Sequence, residues 1–262
     1  MVNAMKDFRE MKRRGEKITA LTAYDYPTAR LLDETGIDII LVGDSVGMVV
    51  LGYEDTTRVT LPEIVHHTRA VARAVKRALL VADMPIHTYD TPEQAVGTAR
   101  ELVAAGAQAV KLEGGASQAR CIEAIVQAGI PFMAHIGMLP QSVREEGGYR
   151  LKGRTQAEVE QLLLDAHAVE KAGAFSVVLE IVTAEAAKQI TNAIGISTIG
   201  IGSGDHCDGQ ILVTHDLIGL FPWFTPKFVS PAARVADEIR RAATAFVERT
   251  RSGNALSNRS TI

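Results

Sequence analysis

Cysteines and long apolar runs are scarce in this sequence. Cys121 and Cys207 are its two cysteines, too few for the disulfide framework of a secreted domain. No apolar run approaches the ~20 residues that a membrane-spanning helix needs, and the basic N-terminal stretch lacks the apolar segment of a signal peptide. We therefore expect a soluble, cytoplasmic protein that has no membrane partner.

Aromatic residues and net charge are also low. Only 5% of the 262 residues are aromatic while 47% are hydrophobic, so the core must be built mainly from Ala, Val, Ile and Leu, as in a parallel sheet covered by helices. The formal net charge of −3 gives no electrostatic reason to expect nucleic acid as a partner. A chain of this length suits one large domain with a sizeable core.

What the sequence does contain is a regular series of short apolar runs, each followed by a helical pattern. The runs predict strands near Ile18–Tyr24, Ile37–Val42, Ala78–Ala82, Ala107–Leu112, Pro131–His135, Ser176–Ile181, Ser197–Ile201 and Ile211–Thr214. Eight β–α units in about 250 residues is the expected size of a (β/α)8 TIM barrel. A doubly wound sheet is the alternative, but no G-x-G-x-x-G follows the first strand to favour it.

Helix start signals support this reading. Thr60 and Glu63 have the spacing of a capping box, in which a hydroxyl and a carboxylate satisfy the first free amides of a helix. Thr91-Pro92 and Ser230-Pro231 each predict a cap followed by proline at the first helical position.

The domain organisation predicted from composition is simple. No shift in composition marks a boundary, so we expect a single barrel domain over residues 1–251, with a short helix over residues 3–14 before the first strand. Residues 252–262 are polar and predict a flexible tail.

Polar and charged residues occur where the predicted strands two to six end. They are Asp44 and Ser45 after strand two, Asp83 after strand three, Lys111 and Glu113 at strand four, His135 at strand five and Glu180 near the end of strand six. In a barrel these strand ends converge on one mouth, where active sites are found. Any single acid could cap a loop or pair with Lys111 or Arg144, but acids after three consecutive strands favour a shared site.

The three acids Asp44, Asp83 and Glu113 indicate a metal site. Carboxylates brought together repel one another and raise one another's proton affinity unless a cation lies among them. Hard oxygen ligands without a Cys or His cluster suit Mg²⁺ better than zinc. The sequence therefore predicts a Mg²⁺ site at the mouth of the barrel.

The other polar residues of the mouth suggest further roles. Strand alternation sends Lys111 and Glu113 to one face while Leu112 faces the helices, although a buried pair could also be purely structural. Glu180 follows an apolar run, and a partly desolvated carboxylate suits proton abstraction beside a carbonyl. His135 could hydrogen-bond a substrate or be a satisfied barrel histidine.

Residues 138–154 form a long polar connection, which is typical of a lid or binding element.

Six stretches of the chain, in a fixed order, resemble the ketopantoate hydroxymethyltransferase family. They are "TAYDYPTARLLDETGIDIILVGDSVGMVVLGYEDT", "VADMPIHTYD", "AVKLEGG", "PFMAHIGMLPQSV", "GGYRLKGR" and "IGIGSGDHCDGQILVTHDLIGL". Together they extend from residue 22 to residue 220. A chance match would not keep so many segments in the order of the family.

The resemblance implies a Mg²⁺-dependent (β/α)8 barrel that transfers a hydroxymethyl group from 5,10-methylenetetrahydrofolate to α-ketoisovalerate (3-methyl-2-oxobutanoate), giving ketopantoate in pantothenate biosynthesis. It implies that Asp44 and Asp83 bind the metal, with Glu113 in the same site, and that Glu180 accepts a proton. The residues that it implies in contact with the keto acid are Asp44, Ser45, Asp83 and Lys111. It also implies a homodecamer of two five-membered rings.

Two other functions stay open at the level of sequence. A related metal-dependent lyase or mutase of the isocitrate lyase and phosphoenolpyruvate mutase type would act on an oxo acid, but it would need a catalytic cysteine or a different acidic loop. Cys121 falls in a predicted helix and Cys207 in a turn. A non-catalytic barrel that binds a small acid is the second alternative, and the combination of acids with Lys111 argues against it.

Overall fold

The computed structural model describes residues 8–253 and forms a closed barrel of parallel strands. Each strand pairs with the next along the chain, and the last pairs with the first. The strands are β1 (Ile18–Thr22), β2 (Ile39–Val42), β3 (Leu79–Asp83), β4 (Ala109–Lys111), β5 (Phe132–Gly137), β6 (Ser176–Glu180), β7 (Ser197–Ile201) and β8 (Gly209–Leu212). The predicted (β/α)8 barrel is confirmed, and closure of the sheet rules out the doubly wound alternative.

Helices alternate with the strands. They are α1 (Phe8–Arg14), α2 (Tyr26–Glu34), α3 (Val46–Val49), α4 (Leu61–Ala72), α5 (Pro92–Ala104), α6 (Ala119–Gln127), α7 (Gln156–Lys171), α8 (Ala184–Ala193), α9 (Thr214–Leu217) and α10 (Val235–Arg251). Short 3-10 turns lie at Thr56–Arg58, Ala116–Gln118 and Pro140–Ser142. Within residues 8–253 no helix is long and apolar enough to cross a membrane.

The described residues divide into two compact units, one ending at Leu212 and the other beginning at Val213. The first contains the barrel, and the second contains α9 and α10. The single domain expected over residues 1–251 stays a prediction. Of the helix predicted over residues 3–14, the part from Phe8 is present, while residues 3–7 and most of the predicted tail (residues 254–262) lie outside the described residues.

Alternation along the strands separates the apolar core of the first unit into two layers. Ile39, Val81 and Met133 belong to the cluster that fills the barrel, whereas Ile40 and Leu80 belong to the cluster between the strands and the helices. Both faces of the sheet are therefore buried at β2 and β3 and through most of the next four strands, which explains why these strands read as continuous apolar runs.

Helix α1 closes the N-terminal end of the barrel. Phe8 joins the interior cluster, and the Ser197 hydroxyl, at the start of β7, donates to the Phe8 carbonyl at 2.6 Å. The Lys12 ammonium donates to the Ile196 carbonyl and to the Asp208 carboxylate at 3.1 and 2.9 Å. This end is sealed by packing, so the opposite end of the strands is left for a site.

Strand β8 starts and ends two residues earlier than predicted. Gly209 pairs with Ile18 of β1, and a Cβ added at Gly209 would lie 2.4 Å from the Ile18 carbonyl oxygen. Only glycine allows so close an approach. The apolar pattern missed this start because neither Gly209 nor Gln210 is apolar.

Candidate active site

The strands bring the predicted polar residues to the inner side of the mouth. Two residues before each of them along the strand lies a member of the interior cluster: Val81 before Asp83, Ala109 before Lys111, Met133 before His135 and Val178 before Glu180. Alternation therefore turns these polar side chains inward. Leu112 belongs to the outer cluster, as predicted, and Glu113 lies two residues beyond the end of β4 and is buried.

Asp83 and Lys111 form a buried ion pair that also fixes the start of the loop after β2. The Lys111 ammonium donates to Asp83 Oδ1 at 2.5 Å, and Asp83 Oδ2 accepts the backbone N–H of Asp44 at 3.0 Å. Both side chains of the ion pair are 5% exposed or less. The pairing that the sequence left open is therefore present, and it ties three consecutive strands together at the mouth.

Gly43 and Ser45 complete the turn after β2. A Cβ at Gly43 would lie 3.0 Å from Ser45 Oγ and 3.3 Å from Asp83 Oδ2, so glycine lets these polar atoms approach the turn. Ser45 precedes α3 without a side-chain capping bond, and its hydroxyl lies 2.8 Å from the Tyr24 hydroxyl. The Ser45 side chain therefore does not cap α3.

The electrostatics of the mouth are dominated by buried carboxylates. Burial, followed by the charge of Asp83, raises the pKa of Asp44 to about 7. Burial and the charge of Asp44 raise the pKa of Glu113 well above its ordinary value. Burial alone would lower the pKa of Lys111, but the surrounding carboxylates, Asp83 first, hold it above its ordinary value. The mouth has more negative than positive groups, and a bound cation would relieve the imbalance.

Gln141, which was not predicted from the sequence, connects two of these carboxylates. Its side-chain Nε2 donates to Asp44 Oδ2 at 2.8 Å, and its backbone N–H donates to Glu113 Oε2 at 3.0 Å. Gln141 is 4% exposed and lies in the polar connection of residues 138–154. A neutral amide has no charge pattern to reveal it, so the signals in the sequence were its location in that connection and in the family-like stretch "PFMAHIGMLPQSV".

His135 lies between two carboxylates. Its Nε2 is 3.3 Å from Glu180 Oε2 and 3.1 Å from the Met138 carbonyl oxygen, and its Nδ1 is 3.8 Å from Glu113 Oε1. In the described part of the chain Nδ1 has no hydrogen-bond partner. His135 is thus only half satisfied by the protein, which leaves a buried polar atom at the site.

A strained turn follows Glu180. Ile181 has φ +47°, a left-handed conformation that is costly for a β-branched residue. Its N–H donates to the Ile201 carbonyl and its carbonyl accepts from the Lys152 N–H, both at 2.9 Å. The turn is therefore held by β7 and by the connection after β5, and it leaves the Glu180 side chain at the mouth, 14% exposed.

The carboxylates of the mouth suit a metal ion that shares its ligands with a substrate. Within residues 8–253 no group of three or more His, Cys, Asp and Glu side chains could hold a metal ion by itself. Mg²⁺ is usually held by one or two protein carboxylates, with substrate and water completing its shell. Asp44, Asp83 and Glu113 supply hard oxygens with an excess of negative charge, so they fit a Mg²⁺ ion whose remaining ligands come from a bound substrate.

Comparison with known proteins identifies the relatives of this chain. A family model described as ketopantoate hydroxymethyltransferase matches residues 3–255. The 3-methyl-2-oxobutanoate hydroxymethyltransferase of Ignicoccus hospitalis is 52% identical over 250 residues, covering 95% of each chain. The enzyme of the same name from Enterococcus faecalis is 51% identical over 255 residues, covering 97% of this chain and 93% of that one.

Solved structures share the fold at much lower identity. A 2,3-dimethylmalate lyase, described as a member of the PEP mutase/isocitrate lyase superfamily, aligns with a TM-score of 0.63 and 17% identity, covering 100% of this chain and 92% of its own. A likeness at this identity supports the barrel and nothing finer. The lyase or mutase alternative therefore has the fold in its favour, whereas the family match and the 50% identical relatives favour the transferase.

Proposed function

The chain belongs to the ketopantoate hydroxymethyltransferase family and is a 3-methyl-2-oxobutanoate hydroxymethyltransferase, and from that premise we propose how its mouth performs the reaction. The activity requires an oxo acid and a one-carbon folate donor. We propose that the acid is α-ketoisovalerate, that the donor is 5,10-methylenetetrahydrofolate, and that Mg²⁺ is the cofactor.

The acids of the mouth support the metal part of the proposal. Asp44 and Asp83, with Glu113 beside them, would hold the ion, which when bound polarises the carbonyl of the keto acid. The observation that carries this is the burial of these three acids beside one another, with the buried Lys111 ammonium on Asp83; burial and their mutual repulsion also raise the pKa values of Asp44 and Glu113. Without a cation, this cluster would be a net cost to the fold.

The remaining polar groups support substrate binding. Lys111 offers a buried ammonium to the substrate carboxylate, and its pairing with Asp83 fixes its direction. Ser45, whose hydroxyl lies 2.8 Å from that of Tyr24, adds a second donor beside Asp44. His135 lies next to Glu180, and its Nδ1 adds another polar group for a ligand.

Glu180 is the proposed base. It accepts the proton from C3 of the keto acid, because it is a largely buried carboxylate at the mouth that makes no ion pair with a lysine or arginine in the described residues. The C3 carbanion then forms the new carbon–carbon bond to the one-carbon unit of the folate. Water breaks the two carbon–nitrogen bonds of the methylene group, which supplies the hydroxyl oxygen and leaves tetrahydrofolate, and Glu180 returns its proton to the new hydroxyl group. His135, 3.3 Å from the Glu180 carboxylate, keeps that carboxylate oriented.

An assay of purified enzyme tests the proposal. Ketopantoate formation from α-ketoisovalerate and 5,10-methylenetetrahydrofolate should require Mg²⁺, disappear with a chelator, and return when Mg²⁺ is added in excess. Asp83→Ala should fail to recover at any Mg²⁺ concentration. Full activity of the chelated enzyme, or of Asp83→Ala in chelator, would overturn the metal assignment.

Location and assembly belong to the same proposal. Cys121 and Cys207 are free, buried thiols, which fits a reducing cytoplasm. The family resemblance is the support for a homodecamer.

A further inference from the structure

Gln141 uses every hydrogen-bonding group of its side chain. Its Nε2 donates to Asp44 Oδ2 and to the Met84 carbonyl oxygen, at 2.8 and 3.1 Å, and its Oε1 accepts from the Tyr89 hydroxyl. Rotating the amide by 180° would put its oxygen against two acceptors. The orientation of the carboxamide is therefore fixed by its surroundings, with a donor aimed at Asp44.

The backbone of Gln141 acts on the second carboxylate. Its N–H donates to Glu113 Oε2, so one residue holds an oxygen of each of two acids that follow different strands, β2 and β4. Gln141 itself lies on the 3-10 turn Pro140–Ser142, just after β5. The orientation of Asp44 and Glu113 therefore depends on the position of this turn at the mouth of the barrel.

We propose that Gln141 is a positioning residue that holds the Asp44 and Glu113 carboxylates for the cation, and that Tyr89 keeps its carboxamide in the productive orientation. The inference rests on the proposed Mg²⁺ site and adds the residue that orients its ligands. Groups that hydrogen-bond metal ligands fix ligand direction, and their loss typically weakens metal binding about 10- to 100-fold.

A purely structural role for Gln141 predicts something different. If the residue only anchored the connection after β5, its replacement would lower the melting temperature but leave the Mg²⁺ affinity of the folded protein unchanged. The two roles are separated by measuring cation binding directly, with no folate present so that no product forms.

The test is calorimetric titration of Mg²⁺ into full-length protein saturated with α-ketoisovalerate. Gln141→Met keeps the length of the side chain but has no amide donor, and we expect about 10- to 100-fold weaker Mg²⁺ binding. Tyr89→Phe should also weaken binding, but it should have no further effect in the Gln141→Met background, because both act through one contact. Ser142→Ala, on the same turn and without a side-chain bond in the described residues, should bind Mg²⁺ as the wild type does.

The possible outcomes distinguish a failure of the Gln141 inference from a failure of the proposed metal site. Wild-type affinity in folded Gln141→Met would overturn the inference, and so would additive effects of the two variants. If Gln141→Met does not fold, the Mg²⁺ affinity of Tyr89→Phe decides, because this variant leaves the carboxamide in place. Weaker binding would then support the inference, and wild-type binding would overturn it. A wild-type protein that binds no Mg²⁺ would overturn the proposed metal site itself. Recovery of Gln141→Met activity at high Mg²⁺ would support positioning, because only affinity has been lost.

Discussion

The raised pKa of Asp44 predicts a pH dependence of stability. Its pKa moves from 3.8 to about 7 through burial and then Asp83, so the folded, metal-free chain keeps a proton that the unfolded chain releases. The free energy of unfolding should therefore fall as pH rises through this window. Asp44→Asn should flatten the fall and be more stable than metal-free wild type above the window, by on the order of 1–3 kcal/mol, while losing activity.

Chemical denaturation in chelator across this pH range measures the effect. Asp90→Asn replaces an exposed aspartate and should behave as wild type. Parallel stability curves for Asp44→Asn and wild type would contradict the assignment of the charge cost to Asp44.

Single residues at the mouth show which features a sequence can reveal. Charged residues at strand ends were predicted, and the structure brings Asp44, Asp83, Lys111, Glu113, His135 and Glu180 together at one mouth. Gln141 and Tyr89 were not predicted, because a neutral amide and a phenol become site residues only through the path of a loop. Charge is visible in a sequence, whereas the direction of a hydrogen bond is not.

At the scale of elements, helix caps were predicted correctly from the sequence where no distant segment hydrogen-bonds to the same backbone. The capping box of Thr60 and Glu63 is present, and Thr91 caps α5 as predicted. The cap predicted at Ser230 is wrong, since α10 begins at Val235. There the amide of Ala232 donates to the Leu217 carbonyl at 2.7 Å, a contact that no local pattern could indicate.

Asp33 provides a prediction about how the elements are joined. Its buried carboxylate, on α2, accepts the backbone N–H groups of Lys76, Arg77 and Ala78 at 3.0, 2.9 and 2.8 Å, which fixes the entry into β3. Asp33→Ala removes the acceptor of these three hydrogen bonds, and we expect a loss of about 3 kcal/mol of stability. Denaturant unfolding should show this loss.

The neighbouring residue supplies the control for Asp33. Glu34 is exposed and pairs with Arg30 on the helix surface, and such pairs are worth less than about 1 kcal/mol. Glu34→Ala should therefore unfold close to wild type. Equal losses for the two variants would show that α2 as a whole, rather than the Asp33 carboxylate, supports the entry into β3.

At the scale of the whole molecule, the barrel explains why so much of the fold was predictable. Both faces of β2, β3, β4, β5, β6 and β7 are buried through most of their length, so apolar runs mark these strands directly, and the regular alternation with helices fixes the topology. Assembly is not visible in this way, because an interface uses surface positions that follow no backbone period.

The proposed homodecamer predicts a mass in solution near ten times the 28.2 kDa of the chain. The exposed apolar side chains of Ile239, Phe246 and Val247 on α10 fit a surface that is covered on assembly. Light scattering coupled to size-exclusion chromatography measures the mass. A monomer at micromolar concentration would contradict the decamer and leave the chemistry of the mouth untouched.

The central claim is that Glu180 removes the C3 proton of α-ketoisovalerate at a Mg²⁺-dependent mouth. NMR in deuterated water, with Mg²⁺ and without folate, measures exchange of that proton directly. Wild type should exchange it, and Glu180→Gln, which keeps the shape but cannot accept a proton, should be slower by about 100-fold or more. Glu185→Gln, at an exposed glutamate of α8, should match wild type, and exchange by Glu180→Gln at the wild-type rate would contradict the account.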